Sequence, residues 1–262
     1  MILVEDYRRN EDNIFADFFH LSADHNKNRQ KEHANYSLGI QEKLLELCDE
    51  EEISNPLTEI TYLLGQNWIA ELALIIGKNH DLLLIDAEKN TPDRILLSEL
   101  SRLECNVMLL TEKPWPNRPH FLCAIDPLHR NALSNQIDIT IITVGKNLSS
   151  FLSGTTTLVY CRNTAPYPPR YKVQILANQK SGITSFLANN NVSHLPLMLA
   201  EGNPEEALPS AAAKLNTAVM VLGACKRSAP SRFWTGSTLD VLLEQPPCDL
   251  MLINAVPSGH EA

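Results

Sequence analysis

The stretch Ala218-Val-Met-Val-Leu222-Gly223-Ala-Cys-Lys226-Arg-Ser-Ala-Pro-Ser-Arg-Phe-Trp-Thr-Gly236-Ser237-Thr238 decides the fold. It opens on a short apolar run closed by a glycine, which reads as a buried strand. It closes on Ser237 and Thr238, which open a helix running to Gln245. Backbone N–H groups at such a helix start, with the two hydroxyls beside them, suit an anion. Gly223 and Gly236 let the backbone approach a phosphate with no Cβ in the way. Asp126 stands at the end of another strand, Phe121 to Ile125. In an open parallel sheet, ligands bind outside the carboxyl ends of the strands, where the strand order reverses. Asp126 and the Gly223 loop are therefore the first candidates for a site. Phe233 and Trp234 read as side chains that pack this loop onto the sheet.

Outward from this loop, short apolar runs alternate with helical patterns. Upstream come strands at Thr157–Cys161 and Leu195–Ala200, with helices over 131–152, 171–189 and 204–215. A last strand covers Leu250 to Ile253. Strands alternating with helices mean βαβ units and a parallel sheet. Further upstream the same alternation gives strands at 60–64, 81–85 and 107–110, and helices at 68–77 and 95–103. Between these two series lies Lys113-Pro-Trp-Pro-Asn-Arg-Pro119, whose three prolines forbid regular structure and mark a linker. Residues 5–52 hold 19 of the 53 charged side chains, with an amphipathic helix on Ala34, Leu38, Leu45 and Cys48.

The two series repeat each other. Gly65-x4-Ala70 matches Gly202-x4-Ala207, and Leu82 and Ala87 match Val219 and Ala224, all at an offset of 137. Cys105-Asn-Val-Met-Leu-Leu then matches Cys248-Asp-Leu-Met-Leu-Ile at an offset of 143. The first half is therefore six residues shorter between its fourth and fifth strands. Carried backwards, the offset finds no partner for Phe121. The first half then lacks a first strand and helix, and Met1 to Asp6 stands as its second strand. Such a loss should leave strand edges unpaired, to be covered by another segment or a second chain unless the sequence in hand begins late.

Gly223-x2-Lys226-x9-Gly236-Ser237, set after a Val/Leu-rich strand and before Pro-Cys-Asp-Leu-Met-Leu-Ile, resembles the universal stress protein signature G-x2-G-x9-G-S/T, and Asp126 fits its first-strand aspartate. The tandem type fits best, and the resemblance covers nearly the whole chain. It implies two Rossmann-like repeats (adenine nucleotide alpha hydrolase-like), each with a parallel sheet of order 3-2-1-4-5, packed as a pseudo-dimer. The expected domains are a degenerate, N-terminally incomplete repeat at 1–113, the linker at 114–119, a complete repeat at 120–256 and a tail at 257–262. In ATP-binding members the aspartate meets the adenine side, while the glycine loop and its final Ser/Thr meet ribose and phosphates. Asp126, Gly223, Lys226, Gly236, Ser237 and Thr238 are the residues that inherit these roles. Lys226 departs from the signature, because a Cβ and a charge stand where bare backbone is needed. Its ammonium can meet a phosphate, or its side chain can fill the pocket. The first half has no glycine between Glu88 and Leu100, so no ATP is expected there.

Composition narrows the function. A net charge of −9 argues against nucleic acid or an anionic membrane as the main partner. The six cysteines form no CxxC pair and read as reduced thiols of a cytoplasmic protein. Cys225, flanked by Lys226 and Arg227, is either a redox thiol or a small buried residue. His20, His25 and His33 match no metal motif. No GxSxG elbow and no GxxxxGK[ST] loop is present, so no catalysis is expected. Together with these features, the resemblance implies a stress-response protein, regulatory or ligand-sensing, with a degenerate nucleotide site in its second repeat. It needs no obligatory cofactor, ATP is the candidate ligand, and its partner is a small molecule or a protein, homodimerisation included. The alternatives are an ATP-binding switch with slow ATPase or autophosphorylation, and a carrier of an apolar small molecule between the repeats.

Overall fold

The computed structural model describes residues 2–3, 42, 46, 59–60, 82–86, 105–111, 113–128, 132–162, 169–224 and 237–254. The expected helices at 68–77 and 95–103 lie outside these residues, as does the one at 34–48 apart from the helical Glu42 and Glu46. The chain forms two compact units, Met1–Leu74 and Ile75–Ala262. The first holds β1 (Ile2–Leu3) and β2 (Glu59–Ile60), a parallel pair in which Leu3 faces Ile60.

The second unit holds β3 (Leu82–Asp86), β4 (Asn106–Leu110), β5 (His120–Ala124), β6 (Thr155–Arg162), β7 (Leu197–Glu201), β8 (Val219–Gly223) and β9 (Asp249–Ile253). Its helices are α1 (Ala132–Phe151), α2 (Pro169–Asn189), α3 (Pro204–Lys214) and α4 (Ser237–Glu244). The seven strands form one sheet of order β3-β4-β9-β8-β5-β6-β7, parallel throughout except between β4 and β9. Counted within the second half alone, the order is 3-2-1-4-5, as the resemblance implies. The chain leaves β5 through β6 and β7, then returns to the other side of β5 as β8. The order therefore reverses between β5 and β8.

Strands covered on both faces must be apolar throughout. All five residues of β9 are buried, as are Val219 to Leu222 of β8. The β-branched run Ile137 to Val144 is helical because α1 buries Ile137, Ile141 and Ile142 in the core with Phe121, Cys123 and Leu158. Packing of an apolar face outweighs the small propensity cost of such residues. A Cβ on Gly145 would stand 2.2 Å from Cys123 Sγ, so this glycine sets how closely α1 lies on β5. Strand β7 starts at Leu197, two residues later than expected. Pro196 has no N–H to give a ladder, and Leu195 N–H is spent on Val192 O.

The two strands related by the 137 offset differ in exposure. The offset of 137 carries Leu82 onto Val219 and Leu84 onto Val221. Both valines are 0% exposed because β5 flanks β8, whereas Leu82 and Leu84 are 43% and 53% exposed on β3. Among the described residues nothing pairs with β3 on its outer side. The same offset carries Ile60 onto Leu197, and each lies in a parallel pair, with Leu3 and with Leu158 respectively.

The antiparallel ladder between β4 and β9 joins the halves. Met108 faces Met251, Val107 faces Leu252 and Leu109 faces Leu250. At the offset of 143 Met108 and Met251 are equivalent residues, so a local two-fold axis passes between them. The polar contacts obey it. Thr111 N–H donates to Asp249 Oδ1 at 2.7 Å, and Asn254 N–H donates to Asn106 Oδ1 at 3.2 Å. Asp249, 2% exposed, also accepts the Thr111 hydroxyl and the Trp115 indole N–H, both at 2.7 Å. The proline-rich linker is thereby fixed to the start of β9, and Lys113 Nζ donates to Pro247 O at 2.7 Å.

Two stability measurements check this packing. Asp249→Ala leaves Thr111 and Trp115 donors without their acceptor and is expected to cost about 2–3 kcal/mol. The symmetry-related Asn106→Ala should cost about 1 kcal/mol, so equal losses in denaturant unfolding would contradict the asymmetry of the seam. A Cβ at Gly154 would stand 2.2 Å from Pro119 O, a backbone atom that cannot swing away. Gly154→Ala should therefore lower the denaturant midpoint by the equivalent of about 1–3 kcal/mol at unchanged m-value; an unchanged midpoint would refute the close approach.

Candidate functional site at the carboxyl ends of β5 and β8

Strand β5 ends at Ala124, and Ile125 N–H still reaches Val159 O of β6 at 3.0 Å. Asp126 follows on the exposed rim. Its own N–H donates to Asp138 Oδ1 at 3.0 Å, which ties the end of β5 to the second turn of α1. Asp138 is 4% exposed, and its Oδ2 is buried without a hydrogen-bond partner. Burial pushes its carboxyl up to about 7. The Asp126 N–H opposes that shift and the Asp126 carboxylate adds to it.

The neighbouring strand ends complete the rim. Tyr160 and Cys161 lie near the end of β6, and burial raises both, with the Asp126 charge as a further cause. Arg162 bridges to Glu201 of β7 at 3.1 Å, while its Nε is buried without a partner. With Glu201 81% exposed, this pair contributes little to stability. On the other side of β5, Gly223 closes β8 opposite Ile253 of β9. Ala224 N–H extends that pairing to Ile253 O at 2.9 Å. Ser237 and the half-buried Thr238 open α4, which packs on α3.

The structure thus brings two of the expected site residues, Asp126 and Gly223, to the carboxyl ends of adjacent strands, and it places Ser237 and Thr238 at a helix start. Lys226, Gly236 and Cys225 lie outside the described residues, as do His20, His25 and His33. Asp138 and Arg162 were not singled out by sequence reasoning. The one signal for Asp138 was a carboxyl set inside the apolar run Ile137-Asp-Ile-Thr-Ile-Ile142. Burial pushes the thiols of Cys105 and Cys161 up to about 11 and those of Cys123 and Cys248 up to about 12, so these four stay protonated and weakly nucleophilic near neutrality. Among the described residues no group of three or more His, Cys, Asp or Glu gathers where a metal could sit. No described helix is long and apolar enough to cross a membrane.

A family model described as the universal stress protein family matches residues 131–254. The chain is similar to universal stress protein E of Photorhabdus laumondii, 22% identical over 209 residues that cover 71% of this chain and 65% of that protein. It is also similar to universal stress protein E of Escherichia coli K12, 24% identical over 202 residues that cover 68% and 62% respectively. The chain therefore spans less than two thirds of the length of these curated relatives. Among solved structures it is similar to a Pseudomonas aeruginosa PAO1 protein, with a TM-score of 0.68 at 19% identity over 84% of this chain and 78% of that one. At that identity the likeness is one of fold. Residues 131–254 thus match the universal stress protein family, and the chain is similar to proteins of that family.

Proposed function

We propose that this protein is a cytosolic stress-response regulator of the tandem universal stress type, and that it senses a ligand at a degenerate nucleotide site in its second half. The observation that carries this reading is the frame around the β5–β8 switch point. Asp126 and Gly223 end adjacent strands, and Ser237 and Thr238 open the following helix. That frame is what a nucleotide's base and phosphates require at such a crevice. Against it stands Lys226, which occupies the position where the signature has its second glycine. A side chain there obstructs close backbone approach to phosphate. The proposed repeats span 1–113 and 120–256, joined by the linker at 114–119.

No catalytic step is assigned. The described rim offers no activated nucleophile, since its thiol, Cys161, is held protonated. The ATP-binding switch stands as the second reading because the Lys226 ammonium can replace lost backbone contacts to phosphate. Calorimetry with Mg·ATP separates the two. The degenerate site is expected to bind no more tightly than about 1 mM. Micromolar binding that Gly236→Val abolishes would sink it in favour of the switch.

A further inference from the structure

The rim contains one arrangement that nucleotide binding does not use. Asp138 lies on the buried face of α1, 4% exposed, with Oδ1 taken by the Asp126 N–H and Oδ2 enclosed without any donor. A carboxylate so enclosed would hold half its charge on an oxygen that neither protein nor solvent reaches, which is strongly unfavourable. The cost is far smaller when that oxygen carries a proton, because a neutral buried hydroxyl is less unfavourable than a buried charge. Two further features make ionisation costly. The neighbouring α1 residues Ile137 and Ile141 are apolar members of the core and offer no countercharge, and the Asp126 carboxylate lies close enough to act on Asp138 by repulsion. Among the described residues, the titratable groups around the pair are Tyr160 and Cys161 of β6, and both are held in their neutral forms.

Loss of the proton has a defined mechanical consequence. An ionised Asp138 needs a donor for Oδ2, and lifting the segment after β5 from α1 would admit water to it. Repulsion from Asp126 acts in the same direction. Resting on the reading of this crevice as the protein's regulatory site, we propose that the ligand it senses is the proton: neutral Asp138 holds the Asp126 segment docked on α1, and ionised Asp138 releases it. The sign follows from burial. The folded state keeps a proton that the unfolded chain gives up at ordinary carboxylate values, so docking is secure in mild acid and weakens as pH rises towards about 7. Above that value both states are ionised and the effect saturates.

The test needs no added ligand. In the full chain, the Asp138 side-chain carboxyl carbon and the Asp126 amide are followed by NMR from pH 5 to 9. Both should titrate together with a midpoint near neutrality. Hydrogen exchange at residues 124–126 and 128, corrected for its intrinsic pH dependence, should be at least about fivefold faster at pH 8 than at pH 6. Asp138→Asn keeps an acceptor for the Asp126 N–H but cannot ionise, so it should abolish both the amide titration and the change in exchange. A carboxyl midpoint below pH 5 overturns the proposal, as does an Asp126 amide that titrates equally in the variant. If the variant does not fold, the wild-type carboxyl midpoint decides alone. Micromolar, Gly236-dependent ATP binding would refute the degenerate-site reading without touching this result, and a flat titration would refute the proton switch without touching that reading.

Discussion

The ladder between β4 and β9 is the constraint on which the sheet depends. It is the one antiparallel junction in the sheet, and it lets strands from the two halves share hydrogen bonds. Its ends are closed by polar groups. Asp249 takes three donors from the segment that leaves β4, while Asn254 Nδ2 donates to Cys105 O at 2.7 Å at the opposite end. Buried groups of this kind are stabilising only when every one is satisfied, so the seam fixes strand register as well as adhesion. A one-residue slip would face Met108 with Leu250 or Leu252 and would strand the Asp249 carboxylate. With register fixed there, β9 and β8 are fixed, and the crevice between β8 and β5 follows.

Much of this was legible because parallel strands write a strong signal. Continuous apolar runs marked β5, β8 and β9 to within a residue or two. The offset break from 137 to 143 also contained the seam, since it makes Met108 and Met251 equivalent. What periodicity does not encode is which equivalent residues meet across an antiparallel pair. Nor could it show that the linker is fixed through Trp115, because prolines announce irregular backbone and not where a side chain ends.

The site was legible in outline only. Asp126, Gly223 and Ser237 stood out because glycines, hydroxyls and strand-end acids are rare enough at those places to carry meaning. Asp138 did not, because an acid within a helix usually lies on its solvated side. Its burial depends on the rotation of α1 about its axis, which the close approach at Gly145 and the buried Ile137, Ile141 and Ile142 fix together. Tertiary packing, not local pattern, turned an ordinary carboxyl into one that holds its proton near neutrality.

The local two-fold at Met108 and Met251 has an evolutionary corollary. In an assembly of two separate identical chains, any substitution at a symmetric seam strikes both sides at once, and a buried acid on one side is an acid on both. Fusion within one chain removes that coupling. Asn106 and Asp249 are equivalent positions, yet one is neutral and the other acidic, and only the acid has a Trp115 partner. A seam within one chain leaves its two sides free to differ, as Asn106 and Asp249 do.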